Sequence, residues 1–141
     1  MSDVVFVDTN ILIYAHDADA GLKREQAIEK LRQLWDSDTG RLSVQVLQEF
    51  YINATQKLAT PVARSTAREV VSTYGAWVRA ATTVETVIRA AELAQMVQLS
   101  FWDALIVASA EQVGANQLYT EDLNTGQTIV GIRIINPLIM A

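Results

Sequence analysis

VVFVDTN (Val4–Asn10) sets four apolar residues directly before a carboxylate, a hydroxyl and an amide. The apolar run shows no alternation with polar positions, which marks a strand buried on both faces. Such a strand sits inside a sheet covered by helices on either side, so this stretch argues for an α/β fold. It also poses a problem. A buried strand ends on Asp8, Thr9 and Asn10 with no spacer, and a turn accounts for one of those polar residues but not for all three.

Further along, strands and helices alternate. Leu22 to Trp35 reads as an amphipathic helix with Ala27, Ile28, Leu31, Leu34 and Trp35 on one face. Asp36 to Gly40 reads as a turn and Arg41–Ser43 as a short strand, with Ser43 capping a helix to Lys57. Thr60-Pro61 combines a cap with proline at the first helical position and opens a helix to Tyr74. Val78–Ala81 is a strand, Thr82-x-x-Glu85 a capping box before a helix over Val84–Gln98, and Ser100-x-x-Asp103 the start of a helix to Val113. Gln117–Tyr119 and Ile132–Ile135 complete the strands. This order predicts a three-layer α/β sandwich, its sheet mostly parallel and its crossovers right-handed. Ligand sites in such sheets lie beyond the carboxyl ends of the strands.

Composition narrows the chemistry. With 141 residues, half of them apolar, a single domain over 1–141 is expected. There is no basic stretch ahead of an apolar one, and no apolar run approaches the roughly 18 residues of a membrane helix. A cytoplasmic protein with no membrane partner is the default expectation. The absence of cysteine excludes disulfides and thiolate sites, and a single histidine, His16, excludes a multi-histidine zinc centre. A lone histidine in YAHDADAG reads as a surface residue. The net charge of −5 argues against nucleic acid as a partner. Ten of the eleven basic residues nevertheless lie between Lys23 and Arg89, and net charge describes a whole surface, not one groove.

Four acids stand out, each with an ordinary alternative. Asp8 follows the first strand and also suits a helix cap. Asp103 lies between Phe101-Trp102 and Ala104-Leu105-Ile106-Val107, and also suits a capping box with Ser100. Glu49 is flanked by apolar residues in VQVLQEFYINA, although exposed glutamates are common on helices. Asp122 follows the Gln117–Tyr119 strand in LYTEDLNTG, where Glu121 competes for the same role and is expected to point to solvent. Trp77 and Trp102 suit base stacking, but their helical neighbours suggest core or interface first.

The combination is more informative than any single acid. Asp8, Asp122 and the start of the Asp103 helix all face one end of the predicted sheet. Carboxylates gathered there repel and raise each other's pKa, a burden that a divalent cation relieves. Oxygen donors without sulfur or imidazole favour Mg²⁺ or Mn²⁺. Thr9, Asn10 and Thr120 supply hydroxyls and an amide to orient the acids.

VDTN (Val7–Asn10), QEF (Gln48–Phe50), SFWDALI (Ser100–Ile106), LYTEDLNTGQ (Leu118–Gln127) and INP (Ile135–Pro137), in that order, resemble the PIN domain, in particular the VapC ribonuclease toxins of VapBC toxin–antitoxin pairs. The resemblance implies a five-stranded sheet ordered 3-2-1-4-5 and an acidic quartet at Asp8, Glu49, Asp103 and Asp122. Thr9, Asn10 and Thr120 are then the supporting polar groups. It further implies Mg²⁺- or Mn²⁺-dependent hydrolysis of RNA such as tRNA or rRNA, a VapB-type antitoxin and a homodimer. Arg and Lys from the 23–89 half are expected to hold the RNA backbone. Two phosphoryl-transfer alternatives fail on the residues. A dehalogenase-type phosphatase needs a second Asp two positions after the first, and a receiver domain needs a late lysine. Asn10 stands where that second Asp would be, and no Lys follows Lys57. A catalytically silent PIN-like module that binds RNA or a partner is the remaining alternative, and the intact quartet argues against it.

Overall fold

A computed structural model describes residues 3–138. Strand β1 (Val5–Val7) is followed by helices α1 (Thr9–His16) and α2 (Leu22–Ser37), then by β2 (Gly40–Arg41). Helices α3 (Val44–Gln56), α4 (Arg64–Tyr74), α5 (Val84–Val97) and α6 (Phe101–Gln112) lead to β3 (Gln117–Tyr119), β4 (Thr128–Ile129) and β5 (Ile132–Ile135). The sheet runs β2-β1-β3-β5-β4. Every pairing is parallel except β4 with β5. As the apolar run requires, Val5, Phe6 and Val7 are buried throughout, covered on both faces of the sheet.

Four of the five expected strands stand side by side in the predicted order, β2, β1, β3 and β5, with β2 at Gly40–Arg41 in place of Arg41–Ser43. The strand expected over Val78–Ala81 is reduced to one parallel bridge, Leu42 to Val78, at the outer side of β2. The reason lies in β2, which has only two residues to pair with. The fully buried Trp77 fills the space beside it and accepts the Leu42 N–H on its carbonyl. At the opposite edge an unanticipated β4 folds back on β5 through Val130-Gly131, both at positive φ, as a tight two-residue hairpin requires.

One helix start and two caps differ from expectation. Ser43 occupies the N-cap of α3, but its hydroxyl makes no capping bond. α4 begins at Arg64, because Val62 N–H is held by the Ala54 carbonyl and the Thr60 hydroxyl donates to Asp19. The capping box of α5 is Thr83 with Thr86, one position after the predicted pair. In α2, Ala27, Leu31 and Leu34 are buried, whereas Ile28 and Trp35 at the stripe's margin stay exposed. No single helix among the described residues is long and apolar enough to cross a membrane.

Trp77 packs tilted against Trp35 and edge-on to Tyr74, at 4.6 and 4.9 Å between ring centroids, and closes the core beside β2. A Cβ on Gly40 would lie 2.7 Å from the Trp77 ring, so only glycine permits this approach. Gly40→Ala should therefore destabilise the fold by about 1–3 kcal/mol, measured by urea unfolding. An unchanged midpoint would show that the indole shifts freely.

Candidate active site

Asp8 is the last residue of the β1 path: its N–H still donates to the Tyr119 carbonyl of β3 at 2.9 Å. Its side chain is the N-cap of α1 and is only 6 % exposed. Oδ1 accepts from Thr9 N–H at 2.7 Å, and Oδ2 accepts from the Thr120 hydroxyl at 2.8 Å. Asp8 is thus both the cap and the buried acid that the sequence left as alternatives. Its carboxyl is raised to about 7: burial raises it most, the two hydrogen bonds lower it, and the charges of Asp122 and Glu49 raise it further.

The neighbouring polar groups knit the ends of β1 and β3 together. Thr120, wholly buried, accepts from Asp122 N–H at 3.0 Å while donating to Asp8. The Asn10 amide donates to Asp122 Oδ2 at 3.0 Å, and its oxygen accepts from Glu121 N–H. The Thr9 hydroxyl donates to Glu49 Oε1 at 3.0 Å and so reaches across to α3. Asp103 comes from α6, where Ser100 caps the helix by accepting from Asp103 N–H at 3.1 Å. The reciprocal half of a capping box is not formed, and the Asp103 carboxylate stays free of hydrogen bonds from the described residues.

Asp8, Glu49, Asp103 and Asp122 thereby line one cleft of about 210 Å³. Glu121 does not line it, and it does not point into solvent as expected. It accepts from the Tyr14 hydroxyl at 2.6 Å and pairs with Lys23 at 2.7 Å, which turns it away from Asp122. His16 also departs from expectation, half-buried and edge-on to Phe50 at 5.5 Å. Trp77 is core, while Trp102 is 64 % exposed at the cleft rim. Two further polar residues of the lining, Gln45 and Asn53, did not stand out in the sequence. With Glu49 they recur every four residues along α3, a polar stripe on one face of the helix that the spacing alone could have revealed. Among the described residues, no lysine or arginine lines the cleft.

The donors suit a hard divalent cation: carboxylates, hydroxyls and amides, with no sulfur or imidazole among the lining groups. Among the described residues, no three acids are already gathered closely enough to form a preset cluster. The raised Asp8 carboxyl is the observation that favours a cation, because it marks buried negative charge without a positive partner. Its titration also has a consequence for stability. The folded value lies above the unfolded one, so the stability that goes with the protonated carboxyl is present in acid and lost as pH rises through about 7. In metal-free protein, chemical unfolding should show Asp8→Asn gaining on the parent between about pH 4 and pH 8, by up to roughly 4 kcal/mol. Parallel pH profiles would contradict this.

Comparison with known proteins follows the same line. A curated-protein comparison gives no significant match. Among solved structures, a toxin–antitoxin complex from Klebsiella pneumoniae matches with a TM-score of 0.68 at 23 % identity, covering 96 % of this chain and 98 % of that one. The Mycobacterium tuberculosis toxin VapC20, described as cleaving the sarcin–ricin loop, matches at 0.59 and 21 % identity, covering 84 % of this chain and 89 % of that one. VapBC2 from Rickettsia felis, bound to a DNA fragment of its promoter, matches at 0.62 and 14 % identity, covering 93 % and 96 %. These likenesses show a shared fold. The PIN domain family profile matches residues 5–128, nearly the whole described chain, and the protein belongs to the PIN domain family.

Proposed function

We propose that this chain is a metal-dependent ribonuclease of the VapC toxin kind. The observation that carries the reading is the cleft itself. Four carboxylates from β1, α3, α6 and the loop after β3 share it, and one of them is buried where its charge is costly. Asp8 and Asp103 are the first choices for direct ligands of Mg²⁺ or Mn²⁺, since Asp8 is rigidly held and Asp103 is free of other bonds. Glu49 and Asp122 complete the set or accept a proton from the attacking water. Bound there, the cation supplies an acidified water and positive charge against the phosphodiester.

The chain's own polar groups orient the acids. Thr120 holds Oδ2 of Asp8, Asn10 holds Asp122, and Thr9 holds Glu49. RNA is the substrate class supported by the described activity of VapC20, and a VapB-type antitoxin is the partner supported by the toxin–antitoxin complexes. Basic residues hold the RNA backbone from outside the cleft, which contains none. Val84, Val87, Ile88 and Met96 of α5 are exposed apolar groups suited to a second copy in a homodimer.

Purified protein should cleave structured RNA with Mg²⁺ or Mn²⁺ and stop with excess EDTA. Asp8→Asn and Asp103→Asn should each lose roughly a hundredfold or more, because losing even an outer partner of a metal ligand costs 10–100-fold. Initial rates on labelled RNA measure this. Undiminished cleavage by Asp103→Asn would remove the metal-site assignment, and RNA binding without any cleavage would favour a silent binding module.

A further inference from the structure

Among the described residues, Trp102 is the one large apolar side chain that is both exposed and part of the cleft. Ile13 and Ile106, the other apolar residues of the lining, are half-buried and buried. Leaving an indole of this size in water is unfavourable, and a partner ring removes that cost. Its neighbour Phe101, packed against the core, meets it edge-to-face, at 5.3 Å between ring centroids and 81° between planes. That contact occupies at most one face of the indole and steadies it, so a flat aromatic surface stands ready at the cleft rim with little ordering cost on binding. Trp102 directly precedes Asp103 in the first turn of α6, so the indole and a proposed metal ligand stand on consecutive residues.

The charge of the cleft narrows what can use such a surface. Four carboxylates line it and, among the described residues, no lysine or arginine does, so a polyanion entering it gains nothing there from ion pairing. Stacking of a base on an aromatic ring is indifferent to that charge, and it tolerates every base because each has a π face. Within a duplex both faces of a base are already stacked, so a free face belongs to an unpaired nucleotide. The adjacency of Trp102 and Asp103 sets the register: the base on the indole belongs to the nucleotide adjoining the phosphate that faces the acids. We propose that Trp102 is the stacking platform for that unpaired base, and that it determines where along a single-stranded segment the RNA is cut. The assignment rests on the ribonuclease reading above and adds a preference for unpaired nucleotides that is set by stacking, not by base identity.

The test uses a fluorescent single-stranded RNA dodecamer of mixed sequence, an abasic ribose–phosphate dodecamer of the same charge, and the dodecamer paired with its complement. Affinity is read by anisotropy on ice with Mg²⁺, kcat and KM from initial rates on a stem–loop with a randomised loop, and folding from thermal melting. The parent should bind the single strand roughly tenfold more tightly than the abasic strand. Trp102→Ala removes an exposed side chain and should melt with the parent. It should bind the single and abasic strands within about twofold of each other, with the loss on the stem–loop falling mainly in KM. Trp102→Phe keeps a π face and should retain most of the preference. Stacking quenches indole emission, so the single strand should dim the parent and leave Trp102→Phe unchanged, and the duplex should dim neither. A Trp102→Ala protein that binds and cleaves like the parent overturns the proposal and leaves the indole to a protein partner. A parent indifferent to the missing bases, or dimmed equally by the duplex, also overturns it. A parent that shows the base preference but cleaves nothing overturns the nuclease reading alone.

Discussion

The Asp8 carboxylate ends an apolar strand at the centre of the sheet, where water cannot solvate its charge. An isolated carboxylate in such a place is too costly to keep, and the group responds by holding its proton or by finding a positive partner. The protein provides no basic side chain in the cleft. It provides instead two hydrogen bonds, from Thr9 N–H and the Thr120 hydroxyl, that fix the carboxylate without neutralising it. Burial, with a smaller push from the Asp122 and Glu49 charges, leaves the carboxyl raised to about 7 despite those two bonds.

The surrounding structure follows from that constraint. Holding Asp8 requires Thr120 to sit at the end of the neighbouring strand, which the parallel register of β1 with β3 ensures by pairing Val7 with Tyr119. Thr120 then orders the next turn by accepting from Asp122 N–H, and Asn10 clamps that turn from α1. The Lys23–Glu121–Tyr14 cluster draws the adjacent acid outward, so that Asp122 alone of the two lines the cleft. Rigid strand ends thus carry the tightly held acid, while a helix's first turn and a loop carry the freer ones, Asp103 and Asp122. That division suits a site whose acids complete their approach around a cation.

Much of this was readable in the residues. The unbroken apolar run at Val4–Val7, the Ser100 cap and the strands at 117–119 and 132–135 rest on local signals that tertiary packing reinforced. Strand order placed Asp8, Asp122 and the start of the Asp103 helix at one end of the sheet, while Glu49 joined them only through the resemblance to the PIN domain. What escaped depended on contacts between distant segments. Val78–Ala81 has strand composition, but its neighbour β2 is too short to extend it. Thr60-Pro61 has a helix-start signature, yet Thr60 is engaged by Asp19 and α4 waits until Arg64. Glu121 looked solvated because its partners, Tyr14 and Lys23, lie about a hundred residues earlier. Gln45 was hidden by the opposite logic. Glutamine on a helix is ordinarily unremarked, and only its burial without a partner sets it apart.

The central claim is that the buried Asp8 carboxyl exchanges its proton for a divalent cation. Calorimetric titration with Mn²⁺, repeated in buffers of different ionisation enthalpy, counts the protons released on binding. The account predicts release approaching one proton per site below about pH 6 and vanishing above about pH 8, with Asp8→Asn releasing none across the range. Mn²⁺ binding accompanied by the same proton release in parent and Asp8→Asn, or no binding to the parent at all, would contradict it.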